Sequence, residues 1–526
     1  MPRPDPRPIR FYNALSRRVE AFEPITPGKV LMYGCGPTVY DFAHIGNFRT
    51  FVFNDVLRRS LEVLGYEVHQ VMNLTDVGHM TDDAVADGAG EDKMAVAAQR
   101  IQQAKKAGAA HLDAIDNPDD PYQVAAFYAD AFVQDARRLG LKVAGEPENL
   151  RKATGAIPQI VALIEKLVAK DHAYVGPDGA VYFDVQSFPR YGQLSGNTLD
   201  ALREGSGGRI DDANQQAKKH PADFLLWKPD PSHLMKWDSP WGAGYPGWHV
   251  ECSALAMDAL GAETIDIHTG GEDLVFPHHE CELAQSCAAT GAESFANYWL
   301  HGRFLMVDGK KMSKSAGTFF TVRDVLEGRA TGRATDPAAL RFELLKSHYR
   351  KPANFTAQGL TASGANVAKL RAVRDALVAQ LGGAEAAEDR VAAIDPQALA
   401  EHEGVVAFEE ALADDLNTAA AIAAVFEHAN RTTGDAEPAV ALAVLRHFDR
   451  VLGVLDAGAG TSLADSSDNA GSAAGGSDAQ AKAAALDAAR SAKDFGAADA
   501  IRAELVEAGY DVKTTPGGTV VSKKLA

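Results

Sequence analysis

The sequence predicts an α/β protein: a Rossmann-like parallel sheet with an inserted lobe, then a helical bundle, then a small α/β domain at the C-terminal end. The parallel sheet follows from Val30 to Met72. There a short apolar run, a glycine-rich loop, a segment with apolar residues at helical spacing and a second apolar run succeed one another. Strand, loop, helix and strand in that order make a βαβ unit with a parallel crossover. The bundle follows from residues 357–455, rich in Ala and Leu at helical spacing with few breakers. The separate last domain follows from a Gly, Ala, Ser and Asp tract between Ala457 and Ala479, which has almost nothing to bury and suits a flexible linker.

A chain of 526 residues suits about three to five folded units. No run approaches a membrane span, and the opening MPRPDPRPIR lacks the apolar core of a signal peptide. Four cysteines do not make a disulfide framework, so a reducing, cytoplasmic setting is expected. A net charge of −19 argues against a nonspecific nucleic-acid binder, while leaving room for RNA binding through a local basic patch.

Residues 1–9 alternate Pro with Arg or Asp and read as a flexible tail, and 10–149 as the first half of the sheet domain. Val30 to Tyr33 is strand material. Gly34 and Gly36 flank Cys35, and Pro37 closes the turn. His44-Ile45-Gly46-Asn47 then leads into a helix carrying Phe53, Val56, Leu57, Val63 and Leu64 on one face and stopping at Gly65. The loop after the first strand lies at the carboxyl edge of the sheet, where open α/β sheets bind ligands. A helix N-terminus beside a glycine offers N–H groups to a phosphate, and His44 and Asn47 can add hydrogen bonds. Thr75 ends the second strand at the same edge, where it holds a small substrate or caps a turn.

Residues 150–220 read as the inserted lobe, with a helix from Ile157 to Lys170, strands Ala173 to Val175 and Val181 to Val185, and a polar loop from Glu204 to Lys219. Residues 221–319 complete the sheet domain. Gly247 to Cys252 leads into a helix, and a strand from Thr264 to Ile267 runs into His268-Thr269-Gly270-Gly271. Pro277 suits a first helical position, and a helix from His278 to Ala289 puts His278 and Glu282 on one face, four residues apart. Cys35, Cys252, His278 and Glu282 offer two sulfurs, a nitrogen and an oxygen, a set that fits zinc. Cys281, His279, His249 and His268 compete as ligands, and small apolar cysteines also fill cores. Behind Gly309, Lys310 to Ser315 supplies three lysines and two hydroxyls that could close over a polyphosphate or form a solvated face.

Residues 320–356 have helical period, 357–455 form the bundle, 456–482 the linker and 483–526 the last domain. In that domain a helix from Leu486 to Ala508 precedes a hairpin, and Arg490, Lys493, Arg502, Lys513, Lys523 and Lys524 make it locally basic.

His44 to Asn47 and Lys311 to Ser315, in this order in one chain, resemble the HIGH and KMSKS signatures of class I aminoacyl-tRNA synthetases. KMSKS is matched fully. HIGH is matched up to its last position, where Asn47 keeps an amide donor but cannot become cationic. Cys35 in GCGPTVYD, Cys252 in GWHVECSA, and His278 and Glu282 in FPHHECELAQ resemble the zinc-ligand motifs of the cysteinyl-tRNA synthetases. The likeness runs from Phe11-Tyr12-Asn13 to the last domain; HTGG departs from the usual HGGG at Thr269.

That resemblance implies activation of L-cysteine with ATP and Mg²⁺ to cysteinyl-adenylate, release of pyrophosphate, and transfer to the 3′ end of tRNA(Cys). It implies one Zn²⁺ per chain, held by Cys35, Cys252, His278 and Glu282 and binding the substrate thiolate. It implies catalytic roles for His44, Asn47, Lys311 and Lys314, and ATP contacts from these together with Gly46 and Ser313. Thr75, Trp248 and His268 would contact cysteine. Residues 320–356 would touch the tRNA stem and the bundle would bind tRNA. Arg490, Phe495 and Asp499 would read the anticodon, Phe495 by stacking on a base unless it fills a small core. A cytoplasmic monomer with no membrane partner is expected. The alternatives are a cysteine ligase with a small amine acceptor, as in a mycothiol-pathway relative, and a non-catalytic tRNA- or zinc-binding paralogue. The 357–526 extension argues against the first; the intact KMSKS and four ligand positions argue against the second.

Overall fold

Five strands make the central sheet: β1 (Lys29–Gly34), β2 (Glu67–Leu74), β3 (Leu150–Lys152), β4 (Ile265–Gly271) and β5 (Ala296–Gly302). In this computed structural model the described residues are 6–77, 80–82, 89–106, 108, 112–197, 217–312, 318–432, 437–456, 482, 485–486, 489–490, 494–507, 510–515 and 518–523. The chain forms two compact units, 1–460 and 461–526.

The strand order is β5-β4-β1-β2-β3 and every neighbouring pair is parallel. The chain moves outward from β1 through β2 to β3, then returns to β4 on the other side of β1. The reversal opens a crevice between the carboxyl ends of β1 and β4, the place where such sheets bind ligands. Register sets Gly34 opposite both Met72 and Thr269. Val30, Met32 and Tyr33 of β1 are buried, as a strand covered on both faces requires.

Helix α1 (Ile45–Val63) follows β1 and buries Phe48, Val52, Val56 and Leu57. Helices α2 (Trp248–Leu260) and α3 (Glu280–Thr290) end at Gly261 (φ 64°) and Gly291 (φ 86°), left-handed caps that suit glycine. The expected helix from His278 starts later. Val275–His279 is one wide turn broken by extended Phe276 (φ −142°, ψ 133°), and regular helix begins at Glu280. Pro277 has no N–H to give, so the ladder closes only beyond it.

The inserted lobe has a four-stranded antiparallel sheet of Ala173–Val175, Val181–Phe183, Phe224–Pro229 and Gly244–Pro246. The lobe therefore extends past residue 220. Phe224 pairs with Phe183, and their rings stack at 4.8 Å. The strand expected to reach Val185 stops at Phe183, because Val185–Ser187 turns under an Asp184 cap. Of the polar loop, only its last residues are described.

Residues 7–9, expected to be a tail, are anchored. The Arg7 N–H donates to Leu64 O at 2.9 Å, Arg7 pairs with Glu409 at 2.9 Å, and Ile9 is in the core. Helices from Ala357–Gln380 to Pro438–Leu452 form the bundle, as expected. Buried charge ties it to the sheet domain. Arg341 donates to Asp55 Oδ2 (2.5 Å) and Leu452 O (2.5 Å). Asp415 accepts from the Tyr12 N–H (2.9 Å), the Tyr349 hydroxyl (2.6 Å) and Arg350 (2.6 Å). In the second unit, helix Phe495–Glu507 precedes the hairpin Tyr510–Thr515/Gly518–Lys523. The longer helix expected from Leu486 is interrupted at Asp494, whose carboxylate accepts the Ala497 N–H at 3.0 Å. Most of the linker lies outside the described residues.

Candidate active site

Four separated segments deliver donors to one buried point beyond β1. Cys35 follows β1, Cys252 is on α2, His278 is in the wide turn and Glu282 on α3. Their ligand atoms all lie within 4.8 Å of one another, and all four residues are buried. Cys35 Sγ is 3.7 Å from Glu282 Oε1, and His278 Nε2 is 3.1 Å from that same oxygen. Two thiols, an imidazole and a carboxylate with no solvent around them fit zinc by donor type and number. A second group meets the same distance criterion: Cys35, His268, His279 and Glu282.

Outer partners orient these donors. His278 Nδ1 meets His249 Nδ1 at 2.9 Å, which leaves Nε2 facing Glu282. Glu282 Oε2 lies 2.9 Å from His268 Nε2, so Oε1 is the oxygen turned to the sulfurs. Such outer contacts fix ring tautomer and carboxylate orientation. Glu280 accepts from the Gly192 (2.9 Å) and Ser195 (2.7 Å) N–H groups, locking the start of α3 to the lobe.

Charge follows the geometry. Burial would raise Glu282, but the His268 and His278 imidazoles outweigh it and hold the carboxyl at about 2. Burial would strip the proton from His278, yet Glu282 and Cys252 raise it to about 10. Burial pushes the Cys35 thiol well above its ordinary value, while the hydrogen bond from Cys35 brings Cys252 below its own. Burial and the neighbouring imidazoles keep His279 neutral.

Glycines clear the space. A Cβ at Gly36 would stand 1.9 Å from Asn73 O, and one at Gly270 2.6 Å from His279 Cε1. The Thr269 side chain is fully buried, with Oγ1 3.0 Å from where a Gly34 Cβ would lie.

Of the expected cysteine-contact residues, His268 is fully buried and held to Glu282. Half-buried Trp248 lies with its ring centroid 4.4 Å from that of His278. Buried Thr75 accepts the Asn73 amide N–H on its hydroxyl at 2.9 Å, and its backbone pairs with Pro37 and Val39. These contacts make Thr75 part of the turn that shapes the Cys35 loop.

At the start of α1, His44 Nδ1 accepts the Asn47 N–H (3.0 Å) and Asn47 Oδ1 accepts the His44 N–H (3.1 Å), a reciprocal cap. Asn47 thus does locally what an acceptor must do at that position, on an exposed side chain. Lys310–Lys311 pairs with Met306 and Val307, both lysines exposed. A Cβ at Gly46 would stand 2.2 Å from the Met312 methyl, so the lysine segment and the α1 N-terminus are in contact. Ser313 and Lys314 lie outside the described residues, as do the side chains of Phe495 and Asp499; Arg490 is in a helical stretch of the second unit.

Sequence reading missed His301 and Trp299. His301 Nε2 lies 2.8 Å from His279 Nδ1, and Trp299 stacks on His268 at 4.6 Å. The only signal was their position at the carboxyl end of β5, beside His268 and Gly270 in register.

The chain matches the family "tRNA synthetases class I (C) catalytic domain" over residues 21–365 and the DALR domain over 407–456. It is 40% identical over 535 residues to a cysteine--tRNA ligase of Salinibacter ruber, covering 97% of each chain. It is 41% identical over 538 residues to that of Chlorobaculum tepidum, covering 98% of this chain and 99% of the relative. Among solved structures it is similar to the LeuRS–tRNA–LeuAMS complex of Agrobacterium radiobacter, at 14% identity and a TM-score of 0.53, covering 82% of this chain and 84% of that one. That last likeness speaks to fold alone.

Proposed function

The chain belongs to the cysteine--tRNA ligase family of class I synthetases, and from that premise we propose how its residues divide the work. The reaction joins L-cysteine to tRNA(Cys) with ATP and Mg²⁺, through cysteinyl-adenylate and release of pyrophosphate. The observation that carries this reading is the convergence of Cys35, Cys252, His278 and Glu282 at the floor of the crevice where β1 and β4 part.

Those four residues would hold Zn²⁺, which would supply a site that prefers a thiolate over a serine hydroxyl. Selection by a bond the wrong substrate cannot make is strong enough to need no editing. Trp248 lines the approach to the cluster, and His268 acts through Glu282 by fixing its second oxygen. Thr75 shapes the Cys35 loop from the β2 side.

The α1 N-terminus presents its N–H groups to the nucleotide phosphates. His44 accepts on Nδ1, so its ring proton is on Nε2, where it can donate to a phosphate oxygen. Asn47, tied through Oδ1, donates through its amide. Gly46 keeps backbone and Met312 close, which brings Lys311 to the same end of the helix; Ser313 and Lys314 continue that loop. As the cysteine carboxylate attacks the α-phosphorus, charge grows on the leaving pyrophosphate, and fixed cationic and N–H donors stabilise it. No protein nucleophile is required.

The bundle and the basic last domain contact tRNA(Cys), with Arg490, Phe495 and Asp499 at the anticodon. No helix among the described residues is long and apolar enough to cross a membrane. All four cysteines are free thiols, which suits the cytoplasm. The test is cysteine-dependent ATP–pyrophosphate exchange followed by charging of tRNA(Cys). Deleting residues 481–526 should weaken charging and leave exchange intact. Exchange without tRNA charging, with transfer to an aminosugar instead, would overturn the reading.

A further inference from the structure

The floor of the crevice holds more metal donors than one ion needs. Cys35 and Glu282 belong to two quartets at once: one closed by Cys252 and His278, the other by His268 and His279. In the second, Cys35 Sγ is 3.3 Å from His279 Nε2, His268 Nε2 is 2.9 Å from Glu282 Oε2, and His279 Nε2 is 4.0 Å from Glu282 Oε1. Both imidazoles are fully buried. The ring of His279 is aimed from behind: Nδ1 engages His301 Nε2 at 2.8 Å, so Nε2 faces the sulfur, and Gly270 leaves room for the ring. His268 is held flat against Trp299, with an interplanar angle of 14°, and its Nδ1 is buried with no hydrogen-bond partner. Buried imidazoles oriented by outer contacts are how proteins prepare metal ligands.

We propose that Cys35, His268, His279 and Glu282 form a second seat for a divalent cation of the zinc or cobalt type, sharing an edge with the first. The seats share a sulfur and a carboxylate, so two dications there would stand close together and repel each other, and the chain binds one ion in either arrangement. The first seat offers two sulfurs, one nitrogen and one oxygen; the second offers one sulfur, two nitrogens and one oxygen. Softness favours the first for zinc, and the second serves when the first is damaged. Metal retention and cysteine selection are then separable properties, and the proposal does not depend on the ligase reading because its readout is metal itself.

The test uses the full chain loaded with Zn²⁺ or Co²⁺. Cys252→Ser is expected to keep one equivalent by elemental analysis, with sulfur-to-cobalt charge-transfer absorption at about half the parent's, since one thiolate replaces two. Adding His279→Gln should weaken binding by at least about 100-fold, beyond the loss of an outer-shell partner, whereas His279→Gln alone should leave the metal in place. Should Cys252→Ser fold poorly, His278→Ala with and without His279→Gln vacates the first seat without touching either sulfur. A folded Cys252→Ser without metal, or a double variant that binds as tightly as Cys252→Ser, overturns the second seat.

Discussion

The two ends of the crevice are built on opposite principles. At the cysteine end every donor is buried, and outer contacts hold His278 through His249, Glu282 through His268, and α3 through the Glu280 carboxylate. At the nucleotide end the groups sit on a helix start and a short exposed strand; the helix start carries the reciprocal His44–Asn47 cap and touches Met312, Phe319 and Phe320. The difference matches the tasks proposed for them. Telling a thiol from a hydroxyl needs donors fixed before substrate arrives, whereas a nucleotide must enter, react and leave as pyrophosphate, so its cations stay within reach of solvent.

The strongest way to break this contrast is at the cysteine end. Glu282→Ala removes an oxygen common to both quartets, so zinc content should fall to background and cysteine-dependent exchange should vanish with it; retained zinc by elemental analysis would refute a single shared floor. At the nucleotide end, Lys311→Ala should slow pyrophosphate exchange by about 10²–10³-fold, the effect of losing one charge-stabilising donor, while zinc stays at one equivalent. A drop in zinc there would show the two ends to be coupled.

Protonation sharpens the comparison further. Burial opposes the charge on His278, but Glu282 and Cys252 raise it to about 10, so the metal-free ring is protonated at neutral pH. Zinc must expel that proton and also the one that burial keeps on the Cys35 thiol. Affinity therefore falls as pH drops below about 10 and rises toward it, by about tenfold per pH unit for each proton displaced. Glu282, held at about 2, is already ionised and adds nothing in that range. Calorimetry in buffers of different ionisation enthalpy at pH 7.5 should detect net proton release; no release would contradict the charge pattern. The smallest effect belongs to Gly46→Ala. Its methyl meets the end of the flexible Met312 side chain and also the His44 ring, at 2.9 Å from Cε1 and 3.0 Å from Nδ1, so the KM for ATP should rise by roughly tenfold, ~1–2 kcal/mol, with the KM for cysteine unchanged.

Much of this was legible in the residue order. The βαβ start, the lobe helix, the bundle and the lysine loop all depend on local periodicity or on spacing along one segment, and periodicity survives whatever the rest of the chain does; the ligand quartet, drawn from separate segments, was singled out only by the resemblance to a known family. Boundaries were less legible. Arg7 and Ile9 looked like a tail because their partners, Leu64 and Glu409, are distant in sequence. Phe224 looked like part of the main sheet because a strand does not declare its neighbour, and here that neighbour is Phe183 of the lobe.

At the site the division is the same. Residue types and the four-residue step from His278 to Glu282 were compatible with zinc, since donor softness belongs to the side chain wherever it lies, but the resemblance to a known family was needed to pick the four ligands from their competitors. Which imidazole faces the sulfurs, which carboxylate oxygen is spoken for, and that His279 and His268 stand ready on the far side of Cys35 were settled by packing. Distances between chain-distant atoms arise when separate segments share one interior, and a one-dimensional order carries no measure of them.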